Sequence, residues 1–250
     1  MTTTAVIVQA RVGSSRLPRK VMMTLAGKTV LAHVLGRCQA IDGVDVVCCA
    51  TTDAADDDPV AAEAQRLGAF VFRGSQRDVL DRYDRAATAL GADIVVRITS
   101  DCPLVDPAVV AAVVCLRAED GADYAANTMP PTWPHGLDCE VFTRDALAGA
   151  ARWARDAHAR EHVTPWLRTH PDIRRANLTG PGGAVAEHRW TLDYPEDMRF
   201  LEALFAHLPP DPALSGMEDI LAVLEDHPGL AAINSMRRLK GRRRDGSHMA

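Results

Sequence analysis

Ala5-Val6-Ile7-Val8-Gln9-Ala10-Arg11-Val12-Gly13-Ser14-Ser15-Arg16-Leu17-Pro18-Arg19-Lys20 joins an apolar run to a loop dense in cations. Residues 5–8 read as a short strand buried on both faces, the first and central strand of a parallel sheet. Gly13, Ser14 and Ser15 then allow a tight backbone path with exposed N–H groups, and Arg11, Arg16, Arg19 and Lys20 supply four cations. Guanidinium forks match phosphate oxygens in bidentate fashion and a lysine adds a compact point charge, so a loop of this kind suits a nucleoside triphosphate. A solvated basic loop is the plain alternative. Against it, these cations follow the carboxyl end of a strand, which is where open α/β sheets bind ligands. The stretch contains neither Gly-x-x-x-x-Gly-Lys-[Ser/Thr] nor Gly-x-Gly-x-x-Gly, which sets aside the P-loop and the dinucleotide fingerprint.

The chain of 250 residues is 47% hydrophobic and 24% charged, enough for one sizeable core in a single α/β domain. Its net charge of −5 gives no general reason to bind nucleic acid or membrane. No run approaches the roughly 18 apolar residues of a membrane helix, and no charged-then-apolar leader opens the chain, so the expected location is the cytoplasm. Cys38, Cys48, Cys49, Cys102, Cys115 and Cys139 show no Cys-x-x-Cys spacing, which favours buried reduced thiols over disulfides or zinc.

Onward from the loop, residues 29–41 carry apolar side chains at helical spacing, and residues 45–50 read as a second strand whose end brings Thr52 and Asp53 to the rim of the basic loop. An ordinary polar turn would explain those two equally well. Asp58-Pro59 reads as an N-cap followed by a helix closing at Gly68. Residues 69–72 form a third strand; Arg73-Gly74-Ser75-Gln76-Arg77-Asp78 follows, with Ser75 and Asp78 as a capping pair and Arg73 and Arg77 unexplained by capping. The βα alternation is that of a mainly parallel sheet with helices on both faces.

Two aspartates stand apart. Residues 93–99 form a strand that ends in Thr99-Ser100-Asp101-Cys102-Pro103, and residues 189–192 read as another, ending in Asp193-Tyr194-Pro195-Glu196-Asp197. A carboxylate at a strand end beside a triphosphate loop can hold Mg²⁺, which takes one or two carboxylates and completes its shell with phosphate oxygens and water; a helix-capping or turn aspartate is the structural alternative. Dipole complementarity accounts for Glu196 and Asp197. Between these places lies a proline-rich loop, residues 127–136, ending at His135-Gly136, then residues 137–142, whose alternation puts Asp138 and Glu140 on one strand face. Those acids could contact hydroxyls, supply a base, or form a polar face. Ser215-Gly216-Met217-Glu218 reads as a capping box for a last helix. From Arg237 on, six cations and one acid read as a disordered tail, with a cloning remnant at 246–249.

Gln9-Ala10-Arg11-x-Gly-Ser-x-Arg16-Leu17-Pro18-x-Lys20, Asp101-x-Pro-Leu, Gly-Leu-Asp138-x-Glu140-Val-Phe and Asp193-Tyr-Pro-Glu-Asp together resemble the cytidylyltransferases related to spore coat polysaccharide biosynthesis protein SpsF and to CMP-sialic acid and CMP-Kdo synthetases. The resemblance runs to about residue 234. It implies a single Rossmann-like nucleotidyltransferase domain, residues 1–236, of the nucleotide-diphospho-sugar transferase type. It implies transfer of CMP from CTP to an acidic sugar of the nonulosonic acid type, with release of pyrophosphate. Arg11, Arg16 and Lys20 become catalytic cations; Gln9, Ala10, Arg11, Gly13, Ser14, Arg16, Lys20, Thr52, Asp53, Arg73, Arg77, Thr99 and Asp101 become nucleotide-binding. Asp101 and Asp193 become the ligands of Mg²⁺, for which Mn²⁺ can substitute, with Tyr194 replacing the family's usual threonine. His135, Asp138, Glu140, Arg160 and His162 become acceptor-binding, the last two offered by a partner subunit if residues 156–183 serve homodimerisation as in dimeric relatives.

Three further readings stay open. A glycosyltransferase of the related fold would use a metal-binding Asp-x-Asp, which Asp101-Cys102-Pro103 does not supply; some cytidylyltransferases load phosphate or phosphonate oxygens instead. A non-catalytic module binding RNA or membrane through its basic tail lacks aromatic interleaving. The base that deprotonates the acceptor is undecided among Asp138, Glu140 and metal-bound hydroxide.

Overall fold

The computed structural model describes residues 2–209 and 215–237, and the basic tail beyond Arg237 lies outside them. The apolar run does become the central strand, β1 (Thr4–Gln9), and Ala5, Val6, Ile7 and Val8 are all fully buried. After the loop and a small hairpin of β2 (Thr24–Leu25) and β3 (Lys28–Thr29), α1 (Val30–Gln39) leads to β4 (Val46–Thr52), which lies parallel to β1. α2 (Asp58–Arg66) crosses to β5 (Phe70–Gly74) outside β4, and α3 (Val79–Leu90) crosses back to β6 (Ile94–Thr99) on the other side of β1. Gln9 pairs with Ala50 on one side and Thr99 on the other, so the carboxyl ends of three parallel strands open onto one rim.

Past β6 one strand runs against the rest. α4 (Pro107–Glu119) is followed by β7 (Tyr124–Ala126), but the strand beside β6 is the antiparallel β8 (Glu140–Thr143), with β7 and then β9 (Arg175–Asn177) outside it. Among the described residues the order is β5-β4-β1-β6-β8-β7-β9. β9, inside residues 156–183, therefore belongs to the main sheet.

Each face is closed by its own core. Val6, Val8 and Val96 meet Leu31, Val34, Val60 and Val110 from α1, α2 and α4, whereas Ala5, Ile7 and Val95 meet Leu80, Tyr83 and Leu147 from α3 and α5 (Arg144–Trp153), with α6 (Ala157–His162) and α7 (Pro165–Thr169) beside them. A third cluster lies off the sheet: after α8 (Gly183–Ala186), α9 (Pro195–Phe205) and α10 (Met217–Asp226) pack around Trp190 and Leu192. Among the described residues no helix is long and apolar enough to cross a membrane, and the six cysteines are unpaired, Cys115 alone being exposed.

Several local expectations shift. Residues 189–192 do not form a sheet strand: Arg189 makes an isolated bridge with His135, and Leu192 is tied by its N–H to the Asp101 carbonyl at 2.8 Å. The expected box does not form at α10: its N-cap is Gly216, which has no side chain, and only the returning bond is present, from Gly216 N–H to Asp219 at 2.8 Å. Asp57 rather than Asp58 precedes α2, with its carboxylate turned toward the basic loop, and Asp78 is itself the N-cap of α3, accepting from Asp81 N–H at 2.9 Å.

Candidate active site

The basic loop is closed on itself and stapled to the next strand. Arg19 N–H donates to the Val12 carbonyl at 3.0 Å, Leu17 N–H to Ser14 Oγ at 3.3 Å, and Lys20 N–H to the Leu17 carbonyl at 3.3 Å. Arg19 passes through the left-handed region, φ 59°, which sends Lys20 back toward the sheet. Asp57 fixes the far side: one carboxylate oxygen accepts from Val12 N–H at 2.7 Å, the other from the Thr52 hydroxyl. Thr52 is thus fully buried and braces the loop from beneath instead of facing a ligand.

Lys20 is the meeting point of three distant parts of the chain. Its Nζ donates to Asp101 Oδ2 at 2.9 Å, Asp193 Oδ1 at 2.8 Å and the Leu192 carbonyl at 2.8 Å. Arg16 reaches the same Asp193 oxygen at 2.6 Å. Asp101 follows β6 as expected, whereas Asp193 arrives on the extended 189–192 segment, which Thr191 Oγ and Leu192 N–H fasten to the Asp101 carbonyl. Gly136 makes that approach possible. Its φ is +117°, and a Cβ there would stand 2.7 Å from the Trp190 carbonyl carbon and 2.8 Å from Thr191 N, distances no side chain tolerates.

Behind Asp193 stands a buried clamp whose role the dipole reading understated. Asp197 accepts both Arg189 Nε and a terminal nitrogen at 2.8 Å, the N–H groups of Asp193 and Tyr194 at 2.9 and 3.0 Å, and Asn234 Nδ2 at 3.0 Å. A fully buried carboxylate with this many donors holds the two residues at the rim in place.

The charges at the rim are tightly coupled by proximity. Burial pulls the Lys20 ammonium down, but Asp101 and Asp193 outweigh it and keep its pKa above the ordinary lysine value. Burial likewise pushes the Asp101 carboxyl up, and Lys20 with the Thr99 hydroxyl more than reverses it. For Asp193, burial and the neighbouring Asp101 charge push up, while Lys20 and Arg16 bring it below the usual carboxylate range. Both acids are therefore ionised at neutral pH. Two such carboxylates converging on one cation are the donor set a hard divalent ion takes. Among the described residues no group of three or more metal-type side chains occurs, so a metal held here draws its other ligands from substrate and water, as Mg²⁺ commonly does.

The other expected residues divide. Gln9 ends β1 with a buried Oε1 that has no partner among the described residues. Arg11, Gly13 and Asp53 are exposed at the same rim, and Ala10 is buried beneath it with its N–H on the Ala50 carbonyl. His135 and Asp138 lie near the acids: His135 Nε2 is 3.6 Å from Asp138, and its Nδ1 is 3.1 Å from an Arg189 nitrogen. Arg73 is a brace, donating to the Thr52 and Ala54 carbonyls and pairing with Asp58. Arg160 is held by Asp78 and the Ala151 carbonyl, and exposed His162 stacks on His158; neither is among the residues bonded to the Lys20 cluster.

Glu140 does not share a face with Asp138. The strand begins only at Glu140, and β8 is covered on both sides, so this carboxylate lies in a closed cluster. It accepts from Arg97 at 2.5 Å, Tyr124 at 2.5 Å, Thr164 at 2.8 Å and Arg168 at 2.7 Å. Arg77 is exposed, whereas Arg82, one helical turn further, is buried; burial and the nearby Arg11 lower its pKa, and its Nε has no partner among the described residues. Arg82, Asp57, Arg189 and Asp197 were passed over because each reads as an ordinary helix or loop charge. The Asp-Val-Leu-x-Arg spacing was the available signal for Arg82.

Known proteins resemble this chain in sequence and in fold. The chain is 32% identical to the Spore coat polysaccharide biosynthesis protein SpsF of Bacillus subtilis over 232 residues, covering 90% of this chain and 95% of that one. It is 32% identical to a 3-deoxy-manno-octulosonate cytidylyltransferase of Anaeromyxobacter sp. over 200 residues, 73% of this chain and 80% of that one. A solved cytidylyltransferase from Leptospira borgpetersenii superposes with a TM-score of 0.86 at 28% identity, covering 92% of this chain and 97% of that one. The family model described as Cytidylyltransferase matches residues 5–204, which span the basic loop, both rim acids and the Arg189–Asp197 pair; the chain belongs to the cytidylyltransferase family and is a nucleotidyltransferase.

Proposed function

We propose that the protein transfers CMP from CTP to an acidic sugar of the nonulosonic acid type, or a related acceptor, and releases pyrophosphate in a Mg²⁺-dependent reaction. The observation that carries this reading is Lys20 Nζ lying between Asp101 and Asp193 at 2.9 and 2.8 Å, beside a closed loop of cations. Gln9, Ala10, Arg11, Gly13, Ser14, Thr99 and Asp101 line the nucleotide, with Arg82 in the place first given to Arg77. Asp101 and Asp193 would hold the metal, which when bound supplies charge to polarise the α-phosphate. Lys20 and Arg16 leave the carboxylates for the phosphates and neutralise the charge that grows on the departing pyrophosphate. The acceptor oxygen attacks the α-phosphorus, the bond to the β-phosphate bridging oxygen breaks, and the acceptor proton passes to a base. With Glu140 enclosed, Asp138 beside His135 is the side chain suited to take it. The name of the Anaeromyxobacter relative supports an acidic sugar acceptor.

Pyrophosphate release measured with each of the four nucleoside triphosphates, Mg²⁺ and a panel of acidic sugars tests the reading. The fastest rate is expected with CTP and only with a divalent cation; equal rates with UTP or ATP would overturn the base assignment. Homodimerisation through residues 156–183 belongs to the same reading. It is supported by exposed Trp153, which with Trp166, His170 and Ile173 lines a surface cavity of about 510 Å³. Sedimentation giving a monomer would remove it.

A further inference from the structure

One aromatic ring at the mouth of the site gathers three guanidinium groups. The ζ carbons of Arg237, Arg16 and Arg189 lie 4.1, 5.4 and 5.7 Å from the Tyr194 ring centroid. Arg189 places its donors on Asp197, and Arg16 donates to Asp193. Arg237 is left short. A guanidinium carries five N–H donors, yet its bond among the described residues is one contact of 3.3 Å to Glu196 Oε1, and its buried Nε has no partner there. The other Glu196 oxygen is likewise buried without one.

The position is nevertheless built. Arg237 ends a short turn, Ser235–Arg237, directly after Asn234, whose Nδ2 donates to the Arg189 carbonyl and to Asp197 Oδ1 at 3.0 Å each. The clamp that places Asp193 therefore also places Arg237. Stacking on Tyr194 fixes the plane of the fork, about a quarter of the side chain stays exposed, and the N-terminus of α9 adds positive potential beside it. Leaving such a group half-satisfied has a desolvation cost that an incoming oxyanion removes.

We infer that Arg237, held on Tyr194, is a further phosphate-binding residue of this site, taking the pyrophosphate end of CTP alongside Arg16 from the basic loop. The terminal phosphates are favoured over an acceptor carboxylate because the same ring carries Arg16, a loop cation. The inference rests on the CTP reading above.

Calorimetric titration of the full chain with CTP, CMP and inorganic pyrophosphate, each with Mg²⁺, tests it. Arg237→Gln should weaken CTP and pyrophosphate about tenfold or more while CMP changes less than about twofold, since one charge-assisted contact is lost to the first two only. Arg237→Lys should recover part of the loss, and Tyr194→Leu should reproduce the selective pattern. An equal loss for CTP and CMP would mean a general structural role, and unchanged CTP binding with a raised KM for the acceptor would assign the residue to the acceptor; either outcome overturns the inference alone. Absence of CTP binding by the unaltered protein would remove both this inference and the reading it rests on.

Discussion

Asp101 and Asp193 share Lys20 at the rim, and Glu140 shares Arg97 and Arg168 in the interior. Both are clusters of acids and bases with bonds under 3 Å, yet they are chemically opposite. Around Glu140 both carboxylate oxygens are taken by fixed protein donors, including a phenol and a hydroxyl, and the side chain is 3% exposed. Around Lys20 the acids keep 26% and 15% of their side chains exposed, and two of the cations are on a loop whose charges suit a polyanion. A saturated cluster has nothing to exchange and acts as a rivet between β6, β8 and α7. A half-open one can trade its internal ion pairs for a metal and phosphates, which is what the proposed function asks of it.

Glu140→Gln should give the largest effect on folding. It leaves two buried arginines short of a counter-charge, and breaking a buried pair in this way costs about 3–5 kcal/mol, read from urea denaturation. A loss below 1 kcal/mol, on the order of an exposed pair, would erase the distinction between the clusters. Lys20→Ala should act on chemistry instead, raising the barrier by on the order of 2–4 kcal/mol in kcat/KM. An unchanged rate would make the rim as structural as the interior. Asp193→Asn should raise the Mg²⁺ concentration for half-maximal pyrophosphate release by about tenfold or more, with Asp101→Asn behaving alike.

Acid should separate the clusters as well. Burial pushes the Glu140 carboxyl up, but Arg168 and Arg97 hold it down at about 2 in the fold. A depressed folded value means the unfolded chain takes up the proton first. The stabilisation is thus fully present above the ordinary glutamate range and is lost as pH falls from there toward about 2. Denaturation curves across that window should show a decline that is shallower in Glu140→Gln, whose remaining loss comes from Asp101 and Asp193. At the small end, Arg66 pairs with Glu63 on the solvent side of α2, and Arg66→Ala should leave Tm and turnover unchanged.

Much of this was legible beforehand. The run at residues 5–8 marked the central strand because an all-apolar segment fits a doubly covered position, and the glycine and proline punctuation set out the βα units. Lys20, Asp101 and Asp193 were marked by chemistry at strand ends. What escaped depended on long-range packing. Strand alternation assigns Asp138 and Glu140 to a face but does not say that β8 is inserted antiparallel between β6 and β7 with both faces covered. Asp197 looked explained by the helix dipole, since the Asn234 that completes its shell lies beyond an entire helix. The segment before Asp193 looked like a strand, yet it is held by Gly136 and Asp101 outside the sheet. The burial of Arg82 carries no mark in the sequence because it depends on β5 and the loop carried by Asp57.

The order in which the site can be assembled during synthesis follows from the clamp. β1, β4, β5 and β6 all lie within the first hundred residues, so a growing chain can pair its parallel strands and present Lys20 to Asp101 early. Asp193 gains its full support only when Asn234 has joined Asp197 and Arg189. Until the ribosome has released that last turn, the nascent protein holds the basic loop and one rim acid without the second, and on the function proposed above its nucleotide chemistry waits for Asn234 to emerge.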